Sequence, residues 1–238
     1  MHRSDLAQSL SVVRDALGRA AVEAGRTPDA VRLVAVTKSV PASRVREAYG
    51  LGVRTVGENR IQEAREKQAQ LSDLTLEWHL IGHLQTNKVK QAVGHFSLIH
   101  SVDSPRLLEA IDAQARAQGI RQDILLQVNV ALEGTKYGFA PDEVPAALEQ
   151  ALALPGVAVR GLMTIAPRAT DPEAIRPVFR QLRELRDACQ ALAGDRADLV
   201  ELSMGMSADF RIAVAEGATL VRIGTGIFGE RPGNPGAF

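Results

Sequence analysis

The sequence predicts an α/β protein built as a single (β/α)8 barrel, the TIM-barrel fold, with an extra helix before the first strand. Two observations favour this fold: eight short apolar runs alternate with helical segments, and the chain has 238 residues. Strands separated by helices cannot form hairpins, so they pair in parallel. Because eight such units close into a barrel of roughly 250 residues, we expect one domain over residues 1–238.

The first element is an amphipathic helix over residues 1–25. Leu6, Leu10, Val13 and Leu17 recur there at helical spacing. The same stretch lacks the apolar core of a secretory signal, and its acidic residues argue against a transit peptide. No run in the sequence reaches the roughly 20 apolar residues that span a bilayer. We therefore expect this helix to belong to the folded protein, and we expect no membrane association.

The first barrel unit shows the pattern that the others repeat. The valine-rich run VRLVAVTK at 31–38 is typical of a buried strand, and the helical segment PASRVREAYGLG follows with proline near its start and glycine after its end. The later strands lie in RTVGEN, EWHLIGHL, FSLIHSVD, DILLQVNV, VAVRGLMTI, DLVELSMG and TLVRIGTGIFG. The helices between them lie in RIQEAREKQAQL, QTNKVKQAV, SPRLLEAIDAQARAQG, PDEVPAALEQALAL, DPEAIRPVFRQLRELRDACQAL and SADFRIAVAEG.

An open, doubly wound sheet is the alternative arrangement of the same elements. It is disfavoured in its dinucleotide-binding form because no G-x-G-x-x-G turn follows the first strand. Asp103 precedes the helix that opens at Ser104, and we expect it to cap that helix. The final segment, 232–238, is expected to form a loose tail.

Composition excludes several classes of function. Lys+Arg and Asp+Glu both number 28, so the formal net charge is zero. This balance argues against a protein that mainly binds nucleic acid or an anionic membrane. Cys189 is the only cysteine, which excludes an internal disulfide and a cysteine-built zinc site and fits a cytoplasmic location. His79 and His83 have the spacing of a helical metal pair, but they fall on a strand and a loop, so we expect no metal.

One lysine stands at the end of a predicted strand in a chain where lysine is rare. Only five of the 28 basic residues are lysines, and Lys38 closes the first strand. Functional groups of a barrel lie at the carboxyl ends of its strands. Burial lowers the pKa of a lysine, and a neutral amine can form a Schiff base with an aldehyde. The alternative is a structural ion pair between Lys38 and a carboxylate such as Glu58.

Two glycine-containing turns follow the seventh and eighth predicted strands, SMGMS at 203–207 and RIGTG at 222–226. Small residues leave backbone N–H groups free to point at an anion, and barrels often bind phosphate at these loops. The alternative is ordinary turn chemistry. Since Lys38 would trap an aldehyde at the same face, a ligand that carries both groups, pyridoxal 5′-phosphate, satisfies both features.

Six segments resemble the pyridoxal phosphate homeostasis protein family, and together they cover nearly the whole chain. They are AVTK at 35–38, GEN at 57–59, WHLIGHLQTNK at 78–88, GLM at 161–163, LSMGMSADF at 202–210 and VRIGTGIFGER at 221–231. The resemblance implies a (β/α)8 barrel related to the N-terminal domain of alanine racemase. It also implies pyridoxal 5′-phosphate as the cofactor, bound covalently by Lys38.

The resemblance also implies roles for individual residues. Arg222 would reach the pyridine nitrogen, and Asn59 would line the cofactor. The phosphate would be held through Ser203, Met206, Ser207, Gly224 and Thr225.

Three further residues are candidates for cofactor contacts. Lys136, in EGTKYGF, matches a second lysine of the family pattern, and His83 and Met163 end predicted strands. Two positions depart from the family. Arg60 stands where members commonly have an aromatic residue, and Ser-Val-Pro follows Lys38 in place of Thr-Lys-Pro.

The resulting hypothesis is a monomeric, non-catalytic protein that binds pyridoxal 5′-phosphate and buffers it or delivers it to PLP-dependent apoenzymes. The alternative is a PLP-dependent amino-acid racemase, and a cofactor-free Schiff-base aldolase is a third hypothesis. Racemisation needs a base on each face of the substrate. Tyr49 and Tyr137 are the only tyrosines, and only Tyr137, in the loop after the fifth strand, is placed to approach the site. The second, β-rich domain of the racemase has no counterpart after the eighth strand, so we expect no turnover.

Overall fold

The computed structural model shows a closed barrel of eight parallel strands in sequential order. The first strand pairs with both the second and the eighth. The structure describes residues 3–134, 136–167 and 169–229. The predicted fold class, a (β/α)8 barrel with an additional N-terminal helix, is confirmed.

The elements alternate along the chain as the sequence predicts. The strands are β1 Arg32–Val36, β2 Thr55–Glu58, β3 Glu77–Leu80, β4 Leu98–Val102, β5 Gln122–Gln127, β6 Val157–Met163, β7 Glu201–Ser203 and β8 Leu220–Ile223. The helices are α1 Arg3–Glu23, α2 Ala42–Gly50, α3 Ile61–Gln70, α4 Val89–Ala92, α5 Pro105–Ala117, α6 Val144–Leu152, α7 Arg176–Ala193, α8 Phe210–Ala215 and α9 Thr225–Phe228. Short 3-10 helices cover Pro28–Ala30, Thr86–Lys88, Pro141–Glu143, Pro172–Ile175 and Gly194–Arg196.

Helix α1 buries the apolar stripe that predicted it. Leu6, Leu10, Val13 and Leu17 are all buried, and the helix packs against α8 and α9. On its other side, the Arg14 guanidinium donates a hydrogen bond to the Leu51 carbonyl at 2.7 Å. Because burying a leucine side chain stabilises a fold by about 1.5–3 kcal/mol, this helix contributes to the stability of the barrel.

The inside of the barrel contains both apolar and polar side chains. Val34, Leu98, Leu125, Met163 and Leu220, from five different strands, form a buried cluster separate from the larger core between the sheet and the helices. The polar side chains that share this interior come from β3, β4, β7 and β8 and are described below. The inside of the barrel is therefore a packed core, and the loops that follow the strands lie at its carboxyl end.

Several boundaries differ from the sequence-based expectation. Strand β1 ends at Val36, so Lys38 lies in the turn after the strand and not in the strand itself. The segment that was predicted to hold only the eighth strand contains two elements, because β8 ends at Ile223 and helix α9 begins at Thr225. The expected tail at 232–238 lies outside the described residues. Within the described ranges, no helix combines the length and apolarity needed to cross a membrane.

Candidate functional site

The turn that carries Lys38 is held on both sides by side chains of α3. The Thr37 carbonyl accepts a hydrogen bond from Lys67 Nζ at 2.5 Å, and the Ser39 amide donates to Glu63 Oε1 at 2.5 Å. Ser39 has a φ of 60°, an uncommon backbone conformation for a residue with a Cβ atom. The two flanking anchors fix the peptide units on either side of Lys38.

Behind this turn lies a buried charge cluster of Lys67, Glu58 and Glu63. Lys67 Nζ lies 2.7 Å from Oε1 of both glutamates, and Thr37 Oγ1 donates to Glu58 Oε1 at 2.6 Å. Burial raises the pKa of Glu58 even though Lys67 and Thr37 donate to it. For Glu63, burial would also raise the pKa, but the hydrogen bonds from Lys67 and the Ser39 amide together lower it.

Lys67 is a residue that the sequence analysis missed. Its signals were present, since lysine is rare in this chain and Lys67 follows Glu63 by four residues on a predicted helix. The sequence instead suggested Glu58 as an ion-pair partner of Lys38. In the structure, Glu58 Oε1 accepts from Lys67 and Thr37, and within the described ranges its buried Oε2 atom has no hydrogen-bond partner.

Arg222 lies on β8 with its guanidinium inside the barrel. Its Nη1 atom donates to Ser203 Oγ at 2.5 Å, and its Nη2 atom donates to the Thr164 carbonyl at 2.8 Å. Loss of solvent lowers the pKa of Arg222 to about 10, so the side chain still carries its charge near neutral pH. A fixed, desolvated cation thus lies below the carboxyl end of the barrel.

The two glycine-containing turns approach one another. A Cβ atom on Gly226 would lie 3.8 Å from Ser207 Oγ, so the side chain of the first turn faces the bare backbone of the second. Ser207 and Thr225 are exposed, whereas the Ser203 side chain is buried inside the barrel. Since the first N–H groups of a helix lack intrahelical partners, the start of α9 offers backbone donors beside Ser207.

The first of these turns has a rigid backbone. Gly205 adopts a φ of 94°, and a Cβ atom there would lie 2.6 Å from the Cβ atom of Ala213. The Met206 amide donates to Asp209 Oδ1 at 2.5 Å, which closes the turn. Burial raises the pKa of Asp209 despite this hydrogen bond. Only glycine fits at position 205 without moving α8.

His83, Asp103 and Tyr137 form a second cluster in loops that follow strands. His83 Nδ1 lies 3.0 Å from Asp103 Oδ2, and the His83 ring stacks on Tyr137 with the ring centroids 3.7 Å apart. The expected capping role of Asp103 is wrong, because the Ser104 hydroxyl accepts from the Leu107 amide and caps α5. The stacking could not be deduced from the sequence, since it depends on how the loop after β5 folds over the end of β3.

Lys136, Met163 and Asn59, which were also predicted to contact the cofactor, lie in three different environments. Lys136 Nζ pairs with Glu133 Oε1 at 2.7 Å and donates to the Ile165 carbonyl at 3.4 Å. Met163 is fully buried in the apolar cluster inside the barrel, and Asn59 lies half-buried just after β2.

Tyr49 and the histidine pair His79 and His83 lie in three different parts of the fold. Tyr49 lies on the outer helix α2, where the Arg54 guanidinium covers its ring at 4.1 Å. His79 lies inside the barrel, whereas His83 lies in the loop after β3. Within the part of the chain that the structure describes, no three histidine, cysteine, aspartate or glutamate side chains gather to hold a metal ion.

The Lys38 turn and the turn before α9 lie beside each other because the barrel is closed. Strand β8 pairs with β1 in the register Ala35↔Ile223, so the Lys38 turn and the start of α9 follow neighbouring strand ends. This fold and this arrangement define a (β/α)8 barrel with a lysine turn and two glycine-containing turns at its carboxyl end. The sequence model of the alanine racemase N-terminal domain family matches residues 18–232.

Curated relatives give a narrower assignment. The pyridoxal phosphate homeostasis protein of Aquifex aeolicus is 48% identical over 224 residues, which cover 94% of this chain and 97% of that protein. The protein of the same name from Pseudomonas aeruginosa is 43% identical and covers 96% of both chains. The chain therefore belongs to the alanine racemase N-terminal domain family and to the pyridoxal phosphate homeostasis protein family within it.

Solved structures agree with this assignment. PipY of Synechococcus elongatus is 44% identical, covers 94% of this chain and 100% of its own, and has been solved without PLP and with PLP bound, with TM-scores of 0.86 and 0.83.

Proposed function

We propose that this protein binds pyridoxal 5′-phosphate at the carboxyl end of its barrel, with a Schiff-base linkage to Lys38, and that it buffers or delivers the cofactor without turnover. The observation that carries the proposal is the pairing of β1 with β8, which sets the Lys38 turn beside the turn at Gly224 and Thr225. The names of the curated relatives and the PLP-bound structure of PipY support the same ligand.

The described residues fit a ligand that carries an aldehyde and a phosphate. When bound, the cofactor supplies an electrophilic aldehyde carbon and a phosphate anion. Ser207 and Thr225 are exposed hydroxyl groups beside bare glycine backbone, and both can donate to a phosphate oxygen. Gly224 would contribute through its backbone amide, and Asn59 through its side-chain amide beside the Lys38 turn. A contact from Met206 would require its backbone amide to release Asp209 Oδ1.

Arg222 would set the electronic state of the ligand. Its guanidinium is fixed by Ser203 and Thr164, and it remains charged near neutral pH. A cation held beside the pyridine nitrogen disfavours protonation of that nitrogen, because two positive charges repel. An unprotonated ring is a weaker electron sink, which favours holding the cofactor over carbanion chemistry.

The absence of turnover is part of the proposal. The curated relatives are named for homeostasis and not for a reaction, which supports it. The alternative, a racemase-like enzyme, would need a second base, for which Tyr137 is the candidate. That ring is stacked on His83, and more than half of its surface is exposed. His83, Met163 and Lys136 are proposed as residues around the cofactor and not as bases.

The Lys38 assignment is tested by trapping the cofactor. Wild-type protein should show visible absorption from bound cofactor and become covalently labelled after borohydride reduction. Lys38→Ala should lose the label, while Lys136→Ala, the matched control, should keep it. A peptide map of the reduced protein would identify the modified lysine directly. A label that survives in Lys38→Ala would contradict the assignment.

Three further features stay predictions. These are a single domain over residues 1–238, a monomeric state in the cytoplasm, and apoenzymes as the recipients of the cofactor.

A further inference from the structure

Helix α8 supports the turn after β7, which the proposed function assigns to the phosphate. The Phe210 amide donates to the Met206 carbonyl at 2.9 Å, and the Asp209 side chain accepts from the Met206 amide. A Cβ atom on Gly205 would lie 2.6 Å from the Cβ atom of Ala213 and 3.1 Å from the Cα atom of Phe210. The backbone of this turn therefore rests directly on the helix, and a shift of α8 would move the turn with it.

Helix α8 is too short to hold this position by itself. It has six residues, Phe210–Ala215, and isolated helices shorter than about 12–15 residues are marginal in water. Its place in the fold must therefore come from contacts with other elements. Helix α1 packs against it, and the Arg26 guanidinium, in the segment after α1, donates to the Val214 and Ala218 carbonyls at 3.1 and 2.7 Å. These contacts hold the backbone at the end of the helix.

A second contact at the same end involves the side chain of Glu216, which follows the last residue of α8. Three arginines of α7 donate to it: Arg176 Nη1 to Oε1 at 3.0 Å, Arg180 Nη2 to Oε1 at 3.3 Å and Arg183 Nη1 to Oε2 at 2.9 Å. Only 6% of the Glu216 side chain is exposed. Burial alone would raise the pKa of Glu216, but the hydrogen bonds from Arg176 and Arg180 lower it, so the group is a carboxylate at neutral pH.

The position of Glu216 is not explained by the stability of α8 alone. The C-terminus of a helix carries partial negative charge, so a carboxylate there is unfavourable for the helix itself. Burial of the carboxylate adds a desolvation cost. The three guanidinium groups offset both costs, and all three belong to α7. The ion cluster of Glu216 and these arginines therefore fixes the end of α8 against α7.

We propose that Glu216 is a positioning residue for the phosphate: its ion cluster with α7 fixes the end of α8, and α8 fixes the turn at 203–207. The proposal rests on the proposed function, since that turn receives the phosphate there. Lys38 lies in a different turn, whose backbone is held by Lys67 of α3. A shift of α8 should therefore weaken the contacts to the phosphate more than the linkage to the lysine.

The test compares pyridoxal 5′-phosphate with pyridoxal, which lacks the phosphate. Glu216→Gln keeps the shape of the side chain but removes its charge. It should weaken the binding of pyridoxal 5′-phosphate about two- to thirtyfold and leave the binding of pyridoxal nearly unchanged. The matched control is Glu184→Gln, at an exposed position of α7, which should leave both affinities unchanged. An equal loss for both ligands in Glu216→Gln, or no loss for either, would overturn the proposal.

A milder variant keeps the test decisive if Glu216→Gln does not fold. The Arg180 side chain is half-exposed and is one of three donors to Glu216, so Arg180→Gln should leave the protein folded. It should weaken pyridoxal 5′-phosphate more than pyridoxal, by a smaller factor than Glu216→Gln. Equal effects of Arg180→Gln on the two ligands would count against the proposal.

A third measurement needs no ligand. Hydrogen exchange read by mass spectrometry should show faster exchange of the backbone amides over 203–210 in Glu216→Gln or Arg180→Gln, while strands β3 to β5 exchange as in wild type. Unchanged exchange over 203–210 would overturn the proposal. If wild-type protein bound no cofactor, the proposed function would fail, while hydrogen exchange would still decide whether Glu216 holds the turn.

Discussion

Lys67 shows how one buried cation holds the backbone of a turn that carries a second lysine, Lys38. Its three hydrogen bonds reach Thr37, Glu58 and Glu63. Glu58 is fully buried, so its charge depends on Lys67 and Thr37 for compensation. The pair therefore contributes to stability and also fixes the backbone beside Lys38.

We expect Lys67→Met to destabilise the protein by about 3–5 kcal/mol, since it leaves a buried carboxylate without its counter-charge. The loss should grow as pH rises. The pKa of Glu58, already raised by burial, should rise further in the variant, so the folded state binds more protons than the unfolded state and stability falls through the titration. Urea unfolding at pH 5 and pH 8 measures both effects.

The exposed Lys88 provides the matched control. Lys88→Met should leave stability nearly unchanged, and adding Glu58→Gln to Lys67→Met should recover part of the loss. Equal stability of Lys67→Met and wild type at both pH values would show that the buried pair contributes nothing.

At the scale of elements, the turn after β7 depends on one backbone conformation. Gly205 has a positive φ and packs against Ala213 of α8. The sequence motif SMGMS predicted a glycine turn at this place, but not the contact that excludes every other residue. Asp103 is a second case in which the sequence did not show the contact that forms. Its residue type suggested a helix cap, but in the structure it contacts His83 from a neighbouring loop.

Gly205→Ala should lower stability by about 2–5 kcal/mol, from the cost of positive φ and from overpacking against α8. It should also weaken cofactor binding, because the turn must move. Gly119 is the control, since its φ is 67° and nothing lies within 4 Å of an added Cβ atom. Gly119→Ala should cost only about 1–2 kcal/mol and leave binding unchanged. Cofactor titration together with urea unfolding distinguishes the two variants, and similar results for both would contradict the packing argument.

At the scale of the molecule, the alternation of strands and helices was sufficient to predict the barrel. Each strand is a local apolar run, and parallel pairing follows from the helices between them. The hydrogen bond between His79 and His100 inside the barrel was not predictable in the same way. It depends on which alternate strand residues face inward and on pairs across the barrel, and neither follows from local pattern.

The protein should not convert amino acids to products in repeated turnovers. Protein loaded with cofactor and incubated with L- and D-amino acids should give no multiple turnovers of racemised product, keto acid or amine. The physical reason, on the proposed function, is that Arg222 would weaken the electron sink of the bound cofactor and that the described residues offer only Tyr137 as a candidate second base. Chiral chromatography of the mixtures checks this. Sustained turnover that is lost in both Lys38→Ala and Tyr137→Phe would establish the racemase alternative.

The pairing of β1 with β8 joins the earliest and the latest strand of the chain. During synthesis, the lysine-bearing turn emerges long before the residues that would receive the phosphate. A chain that lacks β8 presents Lys38 without the neighbouring turn at Gly224 and Thr225, and the β1 edge that faces β8 is unpaired. A ligand that bridges both ends binds only the closed barrel and stabilises it by mass action. Bound cofactor would thus hold the first and the last strand units together. A higher concentration of free cofactor would make the closed barrel of newly made protein more stable.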